Sequence, residues 1–296
     1  MASCTPPARM PSSQSSREEP AADGPLGVIA GAGALPRKVI AAAERQGRPC
    51  LVVGFAGHTD EETLAAAPSF LSRLGAAGSI VKRLRAEGVR DVVMAGAIRR
   101  PSLLQLKPDL FTARVLTRIG MRALGDDSLL RAIIALIEEE GFTVRSAQEI
   151  TGDLVIGEGL LGQVRPDEQA EADIRRGFEV AEALGLVDVG QSVVVQQGIV
   201  LGVEAVEGTD ALLQRCGPLA RGGVGGVLVK AMKPNQDQRA DLPTIGPETV
   251  RKAAAAGLRG LALRAGGALI IDREEMVREA DRLKLFIIGV KKTKHD

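Results

Sequence analysis

The sequence predicts two α/β domains, and three observations predict them. Short apolar runs alternate with segments of helical periodicity, as in a parallel sheet whose crossovers are helices. A glycine-rich turn, Gly31-Ala32-Gly33-Ala34, falls between the first such run and the first helical segment. The 296 residues suffice for two domains that each bury a core.

Residues 1–25 are rich in Ser, Pro, Ala and Glu without an apolar stretch, so they read as a disordered tail and as neither a signal peptide nor a membrane span. Strands are then expected at Leu26–Ala30, Cys50–Gly54 and Asp91–Ala95, with helices over Pro36–Gln46 and Ser79–Glu87 between them. This βαβαβ rhythm is that of a Rossmann-like half. A helix is expected near Asp109–Gly120, and another over Asp127–Glu140, where Leu129, Leu130, Ile133, Ile134 and Ile137 share one face. Phe142–Arg145 closes the first domain as a strand. Thr151–Arg165, with glycines at 152, 157, 159 and 162, is the expected boundary or linker. The division is thus an N-terminal domain over 26–155, a C-terminal α/β domain over 156–290, and a tail over 291–296.

In the second domain a helix over Asp167–Leu184 leads into a hairpin of Ser192–Gln197 and Ile199–Glu204 that turns at Gly198. A buried strand within Gly226–Met232 follows, then a helix over Pro247–Ala256 closed by Gly257. Leu261–Leu263 and Ala268–Ile271 are further apolar runs. Asp272 and Glu275 have the spacing of a capping box for a helix over Arg273–Leu283, and Phe286–Val290 is the last strand.

Composition removes several function classes. Lys plus Arg number 38 against 37 for Asp plus Glu, Trp and Tyr are absent and Phe occurs six times. Neither a basic field nor an aromatic stacking platform is present, which argues against nucleic acid as a partner. Cys4, Cys50 and Cys216 are odd in number and widely spaced, so no disulfide framework or zinc site is indicated and a reducing cytoplasm is the natural setting. No run approaches the ~20 apolar residues of a membrane span, which confines any membrane contact to the periphery.

The densest chemistry follows the Gly226–Val229 run. Lys230, Lys233, Asn235, Gln236, Asp237, Arg239 and Asp241 occupy a stretch that Pro234 and Pro243 keep out of regular helix, with Thr244 just beyond. Two carboxylates four residues apart, among three cations, can hold a divalent metal and a polyanion together, as phosphoryl transfer requires. The alternative is a solvated charged turn.

Gly31 and Gly33 lie where a doubly wound fold brings backbone N–H groups to a phosphate. A dinucleotide site also needs a third glycine where Pro36 stands and an acid at the end of the second strand, which here reads Val53-Gly54-Phe55. Both failures argue against NAD. Arg99 and Arg100, at the carboxyl end of a strand, can meet a diphosphate or equally stand solvated on an exposed loop, and Asp126 and Asp127 precede a helix beside the same crevice, although Asp127 is also a natural N-cap. Lys82, Arg83 and Arg85 read as a solvated helix face. Only His58 and His295 occur, so no histidine-based triad is assembled.

Gly31-Ala32-Gly33-Ala34-Leu35-Pro36, Ala95-Gly96-Ala97-Ile98-Arg99-Arg100-Pro101, Gly125-Asp126-Asp127 and the segment from Lys233 to Pro243, in this order, carry a resemblance. From about Leu26 to Val290 the chain resembles the two-domain UDP-2,3-diacylglucosamine pyrophosphatases of the lipid A pathway, which are unrelated to the calcineurin-like phosphoesterases performing the same step. The resemblance implies hydrolysis of the substrate diphosphate to UMP and 2,3-diacylglucosamine 1-phosphate, with water attacking the sugar-side phosphorus, and dependence on Mg²⁺ or Mn²⁺. With it, Asp237 and Asp241 become the metal ligands, or one ligates and the other orients water. Lys230, Lys233 and Arg239 balance phosphoryl charge, and Asn235 and Gln236 orient water or a sugar hydroxyl. A cytoplasmic enzyme in transient contact with the inner membrane is implied, with a homodimer left open. The apolar stretch Pro101–Met121 is a candidate acyl or membrane surface, and equally ordinary core. The competing readings are a hydrolase or transferase of a soluble nucleotide-sugar and a non-catalytic nucleotide-binding module.

Overall fold

The computed structural model describes residues 24–98, 108–110, 112–113, 126–152, 154–234, 236–237, 239 and 242–292, with the backbone alone for 126–129. Strands β1 (Leu26–Ala30), β2 (Cys50–Phe55), β3 (Ser69–Ser72), β4 (Asp91–Ala95) and β5 (Thr143–Arg145) form one sheet in the order β3-β2-β1-β4-β5. Every neighbouring pair is parallel. β1 and β2 are buried at every residue, which is why they read as unbroken apolar runs.

Helices α1 (Leu35–Arg45), α2 (Glu61–Ala65), α3 (Ala77–Ala86), α4 (Asp126–Glu139) and α5 (Ala147–Thr151) accompany this sheet. Val39, Ile40 and Ala43 of α1 pack with Ala147 and Ile150 of α5 on one face. Ile80, Val81 and Leu84 of α3 join Ile134 and Ile137 of α4 on the other. The strand order reverses between β1 and β4, so the crevice at the carboxyl ends of these two strands is where such sheets take ligands.

Two details differ from the sequence reading. α2 and β3 intervene between β2 and α3, with the Asp60 side chain accepting the Thr63 N–H at 2.8 Å to start α2. α4 begins at Asp126, so Asp127 lies in its first turn instead of capping it. The helix expected near Asp109–Gly120 and the apolar stretch Pro101–Met121 lie almost wholly outside the described residues.

The second sheet runs β6-β13-β11-β9-β7-β8, from β6 (Gly159–Leu161), β7 (Ser192–Gln196), β8 (Ile199–Val203), β9 (Val227–Lys230), β11 (Gly260–Arg264) and β13 (Phe286–Val290). β9, β11 and β13 are parallel, while β6 and β7 run against their neighbours. β10 (Thr244–Ile245) and β12 (Leu269–Ile270) make a separate parallel pair. α6 (Glu168–Leu186) covers one face through Ile174, Phe178 and Ala181. α7 (Gly208–Cys216), which sequence periodicity did not mark, covers the other with α8 (Pro247–Ala255) and α9 (Arg273–Leu283). The capping box expected at Asp272 does not form. Asp272 is left-handed at φ 50°, makes no side-chain cap, and pairs with Lys38 of α1.

The expected linker is well engaged. Ile270 donates to the Leu154 carbonyl at 2.6 Å, Ile156 donates to that of Ala268 at 3.0 Å, and Val155 bridges Leu269. Leu269 is buried in the core of the first sheet, with Leu154, Val155 and Leu242 packed beside it.

The β7–β8 hairpin is held by a buried carboxylate. Asp173 of α6, 1% exposed, accepts the N–H groups of Gln197 at 3.0 Å and Gly198 at 2.7 Å. Those residues form the turn at φ 54° and 76°, where backbone N–H groups have no partner in the ladder. Asp173→Ala is expected to lower unfolding stability by about 2–4 kcal/mol in urea titration, because two turn N–H groups lose a charged acceptor that is itself buried. Asp173→Asn, which keeps one acceptor, should lose less. Equal midpoints for all three proteins would refute this role.

Candidate functional site

A cleft of about 290 Å³ opens at the carboxyl ends of β1 and β4. Ala32, Gly33, Ala34, Met94, Gly96 and Ala97 line its first wall, and Gln191, Arg239, Leu242, Pro243, Thr244, Leu269 and Ile271 line the opposite one.

The first wall is two loops laced together. Gly31 donates to the Ala95 carbonyl at 2.8 Å, while Ala32 and Ala97 exchange both N–H···O bonds at 2.8 and 3.0 Å. A Cβ at Gly31 would lie 2.5 Å from the Ala97 carbonyl oxygen, and one at Gly96 2.6 Å from that of Ala32. These two glycines therefore serve loop-to-loop approach, and Gly31 is no part of the cleft lining. Gly33 is different: at φ 97° it stands on the lining with open space where a Cβ would project. Ala34 offers α1 no side-chain cap, so the first-turn N–H groups of α1 beside it lack a side-chain acceptor.

The opposite wall depends on one ion pair. Arg239 donates from Nε and Nη2 to the two oxygens of Asp237, at 3.0 and 2.8 Å, and its backbone N–H donates to Asp237 Oδ1 at 3.0 Å. Nη1 reaches Glu138 of α4 at 2.6 Å. Hydrogen bonding from Arg239 holds the Asp237 carboxyl below its ordinary value of 3.8, burial opposes this, and Arg131 of α4 adds to the lowering. The pair raises the Arg239 guanidinium still higher, chiefly through the same Asp237 bonds. Because the folded value is the lower one, the ionised pair is complete above 3.8 and is lost as pH falls through that lowered value.

The other sequence candidates lie beneath this loop. Lys233, 9% exposed, donates from Nζ to Asp188 at 2.6 Å, and the Gln236 side-chain Oε1 accepts the Lys233 N–H at 3.0 Å. Gln236 thereby shapes the turn. Lys230 donates to Thr209 at 2.8 Å, and Thr209 donates to Glu204 at 2.9 Å, forming a buried polar row with Ser192 on the α7 side of the sheet. None of these three candidates lines the cleft. Gly33, Arg239 and Thr244 do, and the Thr244 hydroxyl donates to the Leu242 carbonyl at 3.2 Å. Arg99, Arg100, Asn235 and Asp241 lie outside the described residues, as do the side chains of Asp126 and Asp127. Sequence reading passed over Gln191, Arg131 and Glu138, which belong to no motif and reach the site only through the fold.

As a metal site, the described residues do not suffice. Among them no three His, Cys, Asp or Glu side chains gather, and both oxygens of Asp237 are already engaged by Arg239.

Two family models match the chain in succession, one described as LpxI N-terminal domain over residues 25–154 and one as LpxI C-terminal domain over residues 157–288. Among known proteins, the UDP-2,3-diacylglucosamine pyrophosphatase LpxI of Caulobacter vibrioides is 42% identical over 272 residues, spanning 90% of this chain and 97% of the relative. Matched along both halves and aligned to nearly the whole length of that relative, the chain belongs to the LpxI family.

Proposed function

We propose that the cleft hydrolyses the diphosphate of UDP-2,3-diacylglucosamine to UMP and 2,3-diacylglucosamine 1-phosphate, a step of lipid A synthesis. The observation that carries this reading is the pairing of walls: the glycine loop at the switch point of a parallel sheet faces a guanidinium fixed in place by a carboxylate. The first wall suits phosphate oxygens through backbone N–H groups at Gly33 and the start of α1. Arg239 suits the charge that grows during phosphoryl transfer, and its orientation is set before the substrate arrives. The name of the 42%-identical relative supports the substrate.

In the proposed reaction the water oxygen bonds to the sugar-side phosphorus. The bond from that phosphorus to the bridging oxygen breaks, and its electron pair leaves on UMP. Asp237 serves as the positioning residue for Arg239, since a carboxylate with lowered basicity is a poor proton acceptor. We assign the attacking water to Asp241. Mg²⁺ or Mn²⁺ would add further charge at the same centre, with Asp241 as its prospective ligand, and no step above depends on it. We read the N-terminal sheet as the Rossmann-like half of the site, in a cytoplasmic enzyme that meets its acylated substrate at the inner-membrane surface. No helix among the described residues is long and apolar enough to cross a membrane.

Incubation of the full chain with UDP-2,3-diacylglucosamine and added Mg²⁺ in H₂¹⁸O is expected to yield UMP and the sugar phosphate, with the label in the sugar phosphate, and chelator is expected to lower the yield. Label in UMP would reverse the site of attack. Undiminished cleavage in chelator would remove the metal, and equal turnover of a deacylated substrate would favour the soluble nucleotide-sugar reading.

Asp237→Asn and Arg239→Lys are each expected to lower kcat/KM by about two orders of magnitude, because either change dissolves the bidentate geometry aimed at the phosphoryl group. Steady-state kinetics within threefold of the parent for both would sink this assignment. Glu138→Gln should cost less than about tenfold, since the Arg239–Glu138 pair is 38% and 40% exposed and weakly held.

A further inference from the structure

We propose that Gln191 is a substrate-contacting specificity residue, whose side-chain oxygen accepts a hydrogen bond from a neutral N–H or O–H donor on one of the two groups joined by the diphosphate. This role presupposes the cleft reading given above. Gln191 lines the cleft on the same wall as Arg239 and Thr244. Its Oε1 is buried and has no hydrogen-bond partner among the described residues. Buried side-chain oxygens in folded proteins nearly always find a donor, so an orphan acceptor on a cleft wall marks where a ligand donor arrives.

The backbone beneath it is rigid. The Gln191 carbonyl accepts the Ala231 N–H at 2.9 Å, and the next residue, Ser192, is fully buried at the start of β7. The side chain therefore departs from the end of a strand locked to β9, which is how binding groups are held to a narrow range of positions. The neighbouring lining residues Leu242, Pro243, Leu269 and Ile271 are apolar and offer no donor from their side chains.

The chemistry of the acceptor restricts what it reads. An amide oxygen repels phosphate oxygens, so Oε1 does not bind the diphosphate itself. A neutral donor is available on either flank: the uracil imide and ribose hydroxyls on one side, the 2-acylamido group and hydroxyls of the glucosamine on the other. The two products separate these flanks, because UMP carries only the first and 2,3-diacylglucosamine 1-phosphate only the second.

The test uses the full chain and Gln191→Met, which keeps length and removes the acceptor. Hydrolysis by the parent protein is measured first. Calorimetric titration of each protein with UMP, and separately with micellar 2,3-diacylglucosamine 1-phosphate, then gives four affinities, with Tm recorded alongside. The expected result is a Kd raised about tenfold for one product and within about twofold for the other. Tm should be unchanged or higher, since an unpartnered buried oxygen has gone. Unchanged affinity for both products would overturn the role of Gln191 while leaving the proposed function standing. Loss of both in step with a lower Tm would mark a merely structural residue and also overturn it. If the parent neither cleaves the substrate nor binds either product, the cleft reading falls and Gln191 with it.

Discussion

The site exists because the two sheets share a core residue. Leu269 belongs to β12, in the half of the chain that builds the second sheet, yet it is buried at 2% exposure in the apolar core of the first. The strand-like pairing of residues 154–156 with 268–270 fixes its register, and β10 pairs with β12 to set Thr244 beside it. Leu242 packs against the same core. The end of the charged loop is thereby fastened to the wall that carries the glycine turn, and the cleft follows from this joint. A loop carrying the same residues on a free tether would have to find that wall anew each time a ligand bound, at a cost in ordering that such packing removes beforehand.

On this frame the electrostatics divide into two tiers. Arg239 and Asp237 sit at the cleft, where a guanidinium held by two parallel bonds presents a fixed direction to a ligand. Lys230 and Lys233 sit behind it with their ammonium groups directed to Thr209 and Asp188. The buried cations brace the loop from below, while the half-buried Arg239 lines the cleft. A sequence window shows three cations on one stretch after β9 and cannot separate these tiers, because the separation comes from which partners the folded loop sets against each residue.

The parallel strands were legible because burial on both faces makes them continuous apolar runs, as at Leu26–Ala30 and Phe286–Val290. β3 was not, since Ser69–Ser72 is an edge strand with alternate residues exposed and too little apolar surface to signal itself. α7 begins at a glycine and runs nine residues, below the length at which periodicity is persuasive. Of the site, the glycine turn and the Asp237–Arg239 pair stood out by local density. Gln191 did not, since a single glutamine before a valine run carries no local signal and gains meaning only when β7 sets it against the opposite wall. Asp272 shows the converse failure: its spacing matched a helix cap, but its left-handed backbone aims it at Lys38 on the other half of the molecule.

The glycine turn departs from a dinucleotide-binding loop in its packing as well as in its sequence. Pro36 stands where the dinucleotide fingerprint has its third glycine, and it is buried, with its ring 3.0 Å from where a Cβ on Gly96 would stand. The ring closes the start of α1 against the second loop, a contact a third glycine would leave open. The Ala32 N–H, which would otherwise point at a phosphate, is consumed by Ala97. What remains open to the cleft is the short arc from Gly33 into the first turn of α1. The acid that would grip a second ribose is absent as well, since β2 ends at Gly54 and Phe55. The same lacing that holds the two loops together therefore also limits how much of the glycine turn faces the cleft.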